Sequence, residues 1–167
     1  MCQSYNEQYK TNFVSVMPTN LYGPNDNFDL QSAHVLPAFI RRFYEAKKNN
    51  KKDIILWGSG KAYRELLYVD DMAEACVFLM KNYNSSEIIN IGTGKDLKIR
   101  ELAQLVKKIV GYSGKIVWDS SKPDGTPKKQ LDVTKLFKLG WKPRISLEEG
   151  IKKEYEWFLN NFSGKKQ

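Results

Sequence analysis

His34, in the stretch "QSAHVLPAFIRRF" (31–43), is the only histidine of 167 residues. Imidazole is the side chain whose ordinary pKa lets it give or take a proton near neutral pH, so general acid–base work is the first chemistry to weigh. The same ring also serves as an ordinary partly buried donor or helix cap, and by itself it does not choose. Arg41, Arg42 and Arg64 are three of only five arginines in a chain that otherwise uses lysine. A planar guanidinium grips a diphosphate with two parallel hydrogen bonds, whereas an ammonium acts as a point charge. Adjacent helical residues point about 100° apart, so Arg41 and Arg42 are expected to serve different partners. Trp57 ends the apolar run "DIILW" beside a glycine turn, as either a core residue or a flat face on which a base can stack. Asp70 and Asp71 could form a carboxylate pair, but their place ahead of an apolar helix favours capping and dipole stabilisation.

The glycine motifs carry less. "GSGK" (58–61) lacks the rest of a phosphate loop: Ile55 stands where a glycine is needed, and Ala62 where a serine or threonine is needed. "GTG" (92–94) is not a dinucleotide fingerprint, because G-x-G-x-x-G spacing occurs nowhere in the chain. Both read as turns. Cys2 and Cys76 are too few for a disulfide framework and have no zinc-ligand spacing, so no metal site is expected. The net charge of +8 is spread along the chain, with "KKNNKK" (47–52) the one tight cluster. A solvated loop explains such a run, and no nucleic-acid-binding module is recognisable. No apolar run approaches the roughly 20 residues of a membrane-spanning helix, and "MCQSYNEQYK" has no secretory pattern. A cytoplasmic, membrane-free protein is the expectation.

These residues need a scaffold, and the pattern supplies one of mixed α/β class. "FVSVM" (13–17) reads as a buried strand running into the turn-rich "PTNLYGPND". From Ala33 the period becomes helical, with Val35, Phe39 and Phe43 four apart and Pro37 in the first turn, which puts His34 at a helix mouth. Strands over 53–57 and 64–69 flank the 58–63 turn. A helix follows, with Asp70 as its cap and Ala73, Cys76, Val77 and Met80 as its apolar face. "EIINIG" predicts a strand, "GTGKD" a turn, and Ile99, Leu102, Val106 and Ile109 an amphipathic helix. "KIVWD" (115–119) predicts a strand, "SKPDGTPKKQ" a long loop, and "DVTKLFKLG" a short helix between Asp132 and Gly140. Ser146 and Glu149 form an S-x-x-E capping box for a last helix striped with Leu147, Ile151, Tyr155, Phe158 and Leu159. There is no internal repeat, and no low-complexity tract beyond the lysine-rich loop and tail.

Taken together, "MPTNLYGPNDNF", "SAHVLPAFIRRF", "WGSGKAYRELLYVDDMAEA", "INIGTG", "SKPDGTP" and "LGWKPRISLEEGI" resemble the GDP-L-fucose synthases. These are epimerase/reductases of the extended short-chain dehydrogenase/reductase superfamily. The resemblance implies a C-terminal half: the last strands and helices of a Rossmann sheet (1–21 and 66–92) plus a smaller α+β nucleotide-sugar-binding part (22–65 and 93–167). It also implies that a glycine-rich NADP-binding half, with the YxxxK pair and the family's catalytic cysteine, lies outside this chain, so that neither Cys2 nor Cys76 takes that role. His34 matches the family's catalytic histidine, which works on the 4-keto sugar and faces the cofactor. Pro18, Thr19, Asn20 and Leu21 match the loop at the nicotinamide end of NADP(H), and Arg42, Trp57, Arg64 and Asp124 match positions that hold the GDP of the substrate. The expected partners are a GDP-sugar, the other half of the enzyme and, at full length, a second copy in a homodimer. Another nucleotide-sugar epimerase or dehydratase, or a binding module without catalysis, is the alternative. Two positions depart from the family pattern. Lys98 replaces a hydroxyl cap at a cost of about 1 kcal/mol in helix stability. Asp29, in the loop before His34, bears on local electrostatics.

Overall fold

A computed structural model describes residues 1–162; the lysine-rich tail lies outside the described residues. Helix α1 (Cys2–Tyr9) leads into β1 (Val16–Pro18) and β2 (Asn20–Tyr22), then α2 (Val35–Lys48), β3 (Asp53–Trp57), β4 (Tyr63–Tyr68) and α3 (Val69–Asn82). After these come β5 (Ile89–Ile91), β6 (Asp96–Lys98), α4 (Ile99–Val110), β7 (Lys115–Asp119), β8 (Lys128–Lys129), α5 (Thr134–Lys138) and α6 (Leu147–Asn161). The α/β class expected from the sequence is what forms. β1 pairs in parallel with β5, β2 with β4, and β3 with β7, each pair bridged by intervening helix. β4 is the hub, since β6 joins it antiparallel and β8 parallel.

Two apolar cores result. The larger packs α2, α4 and α6 around Phe28, Phe43, Leu102, Val106, Ile151 and Phe158. The smaller joins Leu67, Ala75, Leu79, Ile89 and Ile91 to Leu136 and Trp141. In α4, Leu102, Ala103, Val106 and Val110 are buried, as the helical period requires, and Gly111 closes the helix at φ 73. Lys98 has no acceptor to cap this helix. Glu101 instead reaches back to the Lys98 N–H at 2.9 Å, and the Ile99 and Arg100 N–H groups donate to the carbonyls of Ala62 and Gly60 at 2.9 and 3.0 Å. The missing hydroxyl is thus replaced by the "GSGKA" turn.

Several local expectations are corrected. The first strand is Val16–Pro18, so Phe13 to Ser15 lie outside it, and three residues of the expected loop form β2 because β4 offers them a partner. β6 and β8 likewise arise in segments read as turn and loop, through pairing with β4. The N-cap of α3 is Tyr68 rather than Asp70. Asp71 turns inward and accepts the N–H groups of Arg144 and Ile145 at 3.1 and 3.0 Å, anchoring the approach to α6. The buried line of α3 is therefore Asp71, Ala75 and Leu79, while Val77 and Met80 face outward. Cys76 does pack against the smaller core. Ser146 caps α6 by accepting the Glu149 N–H, whereas Glu149 pairs with Lys153 and Leu159 is an exposed member of the expected stripe.

Candidate functional site

β2 and β4 run side by side, and a cleft of about 490 Å³ opens at the turn that follows β2. Pro18, Thr19, Asn20 and Leu21 line it, and His34 faces it from the mouth of α2, together with Asp26 and Lys129. His34 is the N-cap residue by backbone geometry, yet its ring makes no cap hydrogen bond. The capping explanation for this imidazole is therefore removed. Asp29, just upstream, builds the turn that delivers it: its carboxylate accepts from Gln31 and Ser32, and these contacts hold it below the usual carboxylate range.

The loop on the other side of the cleft is fixed through Glu65. Its backbone carbonyl accepts from Thr19 Oγ1 at 3.3 Å and from Asn20 Nδ2 at 2.7 Å. One amide hydrogen of Asn20 is therefore committed, which leaves its second N–H and its carboxamide oxygen for a ligand. The Glu65 side chain is completely buried. It accepts from the N–H groups of Thr93, Gly94 and Leu131 at 2.6, 2.7 and 2.8 Å. The "GTG" turn thus does bind an anion, and the anion is the protein's own. A glutamate inside an otherwise apolar strand was the available sequence signal, but its partners lie 28 to 66 residues away.

A second constellation forms where β3 ends. Trp57 is 67% exposed, so it is not a core residue. The Arg42 guanidinium lies 5.9 Å from its ring centroid, and Lys122 approaches at 5.8 Å. Arg41 diverges as expected, to Glu45 and to the Phe28 carbonyl. Arg64 donates to the carbonyls of Tyr63 and Thr126, both at 2.6 Å. Asp124 accepts from the Ser59 N–H and hydroxyl, which lower its pKa from the usual value. Gly58 has φ 81, and a Cβ there would sit 2.4 Å from an Asp124 oxygen, so this turn requires glycine.

One backbone stretch joins the two places. It starts at Asp124 on Ser59, passes Thr126 on Arg64, pairs as β8 with Tyr63 and Arg64, and delivers Lys129 into the His34 cleft. Asp26 and Lys129 line the cleft from segments without helical or strand periodicity, where residue spacing does not tell which side chains share a site. Among the described residues no group of three or more His, Cys, Asp or Glu could hold a metal ion, and no helix is long and apolar enough to cross a membrane.

Residues 1–92 match the NAD dependent epimerase/dehydratase family. The chain belongs to that family. Its similarity to individual members is continuous along the sequence. It is 55% identical over 167 residues to a putative GDP-L-fucose synthase 2 of Arabidopsis thaliana, covering all of this chain and 51% of that protein. It is 52% identical to the GDP-L-fucose synthase of Escherichia coli, over 96% of this chain and 53% of that protein. The chain thus spans about half the length of these curated relatives. Among solved structures, a GDP-L-fucose synthetase from Naegleria fowleri bound to NADP superposes with a TM-score of 0.88 at 35% identity, over 99% of this chain and 52% of that one. The fold is that of this family's epimerases and reductases.

Proposed function

We propose that this chain is the substrate-binding half of a cytoplasmic GDP-L-fucose synthase. In the complete enzyme the reaction is NADPH-dependent 3,5-epimerisation and 4-reduction of GDP-4-keto-6-deoxy-D-mannose. The observation that carries the reading is the stretch 124–129, which ties the Arg42, Trp57 and Arg64 corner to the His34 cleft along one backbone path. A nucleotide-sugar is a ligand with two such ends. Trp57 supplies a stacking face and the nearby guanidiniums suit a diphosphate. Asp124 clamps the Ser59 turn with one bond to each carboxylate oxygen and keeps its remaining acceptor positions for the GDP end of the substrate.

At the sugar end, the 4-keto group acidifies the C–H bonds at C3 and C5. Inversion requires one group to remove a proton and another to return one to the opposite face. His34 is the proton donor on this chain's side of the sugar. The cleft wall formed by Pro18 to Leu21 fits the nicotinamide end of NADP(H). When bound there, NADPH supplies the hydride that reduces C4. The glycine-rich half that binds the rest of the dinucleotide is the partner this assignment calls for, and the assembled enzyme is a homodimer.

Calorimetry with GDP-, UDP- and dTDP-sugars separates this assignment from another nucleotide-sugar epimerase or dehydratase; preference for GDP is expected, and equal or no binding rejects it. Joining the chain to a glycine-rich half of the family is expected to yield epimerase and reductase activity. In that enzyme, His34→Gln lowers epimerisation by about 100-fold or more. Full epimerisation by that variant removes His34 as the acid.

A further inference from the structure

β6 occupies one edge of β4, so β8 and β2 share the other. They lie end to end along it. β8 finishes with Lys129 opposite Arg64, β2 begins with Asn20 opposite Leu66, and Glu65 is the β4 residue between the two registers. Two residues of strand span about 7 Å, so the shared edge is split by a gap of about that width. Asn20 and Lys129, on either side of the split, both line the His34 cleft.

Glu65 grips both sides. Toward β2, its carbonyl accepts from Thr19 Oγ1 at 3.3 Å and Asn20 Nδ2 at 2.7 Å. Toward β8, its Oε2 accepts the N–H of Leu131, just beyond Lys129, at 2.8 Å. Its Oε1 is anchored in turn by the Thr93 and Gly94 N–H groups at 2.6 and 2.7 Å. Gln130 Nε2 donates to the Gly94 carbonyl at 2.8 Å, which ties the β8 stretch to the same turn. The carboxylate has no spare room, since a Cβ on Gly92 would stand 2.3 Å from Oε1. Glu65 is completely buried and does not itself line the cleft.

We propose that Glu65 is a positioning residue that sets the gap between Asn20 and Lys129, and with it the distance between a cofactor at the Pro18–Leu21 wall and a nucleotide-sugar held along 124–129. Glutamine at this place keeps the shape but turns an NH₂ toward an N–H donor, so one grip is lost and the gap is no longer fixed. The kinetic consequence rests on the GDP-L-fucose synthase reading above; the spectroscopic one does not, so the two fail separately.

In the chain itself, Glu65→Gln is expected to shift the backbone amide resonances of both Asn20 and Lys129 in a nitrogen–proton NMR spectrum, and to leave Ile55 of β3 and Val106 of α4 in place. Unmoved Asn20 and Lys129 overturn the proposal, and so do equal shifts throughout the chain, which mark a general loss of stability. Should the variant lose its fold, hydrogen exchange of the parent decides. The amides of Thr93, Gly94 and Leu131 are expected to open as one unit, and unrelated exchange among them overturns the proposal. In the chain joined to a glycine-rich half, Glu65→Gln is expected to lower kcat for reduction about tenfold, with the KM values for NADPH and GDP-sugar changed by less than about twofold. The isotope effect of 4-deuterated NADPH should rise. A purely structural role lowers the amount of folded enzyme and leaves the isotope effect as in the parent; that result overturns the positioning role. A parent that binds no GDP-sugar overturns the function reading instead, and the NMR result still decides for Glu65.

Discussion

Ser59 and Asp124, 65 residues apart, are joined twice: the Ser59 N–H donates to Oδ1 at 2.7 Å and its hydroxyl to Oδ2 at 2.5 Å. This contact fastens the 118–126 loop to the turn that presents Trp57. Asp124→Ala is therefore expected to weaken GDP binding by about fivefold, through lost loop order as well as any lost ligand contact. Ser59→Ala should show part of the same loss in calorimetry. The pKa of Asp124 is depressed in the fold, so the clamp is intact above the ordinary carboxylate range and lost as pH falls through its lowered value. GDP affinity measured between pH 5 and 8 should show no step from this pair.

Trp57→Ala removes the exposed ring against which Arg42 and Lys122 lie. Affinity for GDP should fall by about tenfold, equivalent to about 1.4 kcal/mol. The melting temperature should barely change, because the ring is two-thirds exposed. A large drop in melting temperature with unchanged affinity would mark Trp57 as structural.

Glu65 is held by three backbone N–H donors in a fully buried place. Glu65→Gln puts an amide NH₂ where only acceptors are satisfied, and should cost about 2–3 kcal/mol in urea unfolding. Gly92→Ala tests the same contact from the other side, since a Cβ there would stand 2.3 Å from the Glu65 oxygen. Both variants should also loosen Leu131 and the β8 segment, measurable as faster amide exchange at Leu131.

Glu154 gives the protein a pH-dependent stability of definite sign. Its folded-state pKa, raised to about 9 from 4.5, means that the folded chain keeps a proton that the unfolded chain releases. The stabilisation linked to that proton is complete below about pH 4.5 and declines as pH rises to 9, by up to about 1.4 kcal/mol per unit. Glu154→Leu should raise stability at pH 7 by about 1–3 kcal/mol and flatten the decline between pH 5 and 9. Urea melts at three pH values decide this; a variant no more stable than the parent at pH 7 contradicts it.

The elements legible in the sequence are those whose own period suffices. α2, α4 and α6 carry long apolar stripes, and β3 and β7 are five-residue strands. The three-residue β2 and β6 and the two-residue β8 are too short to show alternation, and they exist because β4 offers partners. On α3 the spacing predicts an apolar face of Ala73, Cys76, Val77 and Met80, but of these Val77 and Met80 face outward, and the helix turns Asp71 inward because two N–H groups from residues 144 and 145 meet it there. His34, Trp57 and the arginines could be named from residue type and family resemblance. Glu65, which anchors Thr19 and Asn20, could not, because its partners are distant in the chain.

The stretch from Asp124 to Lys129 is gripped by Ser59, by Arg64 and by β4 within six residues. Fully extended, it spans at most about 20 Å. It leaves almost no slack between the Ser59 turn and Lys129 at the wall of the cleft, and so works as a ruler: the proposed two-ended ligand would need the right length as well as the right groups at each end.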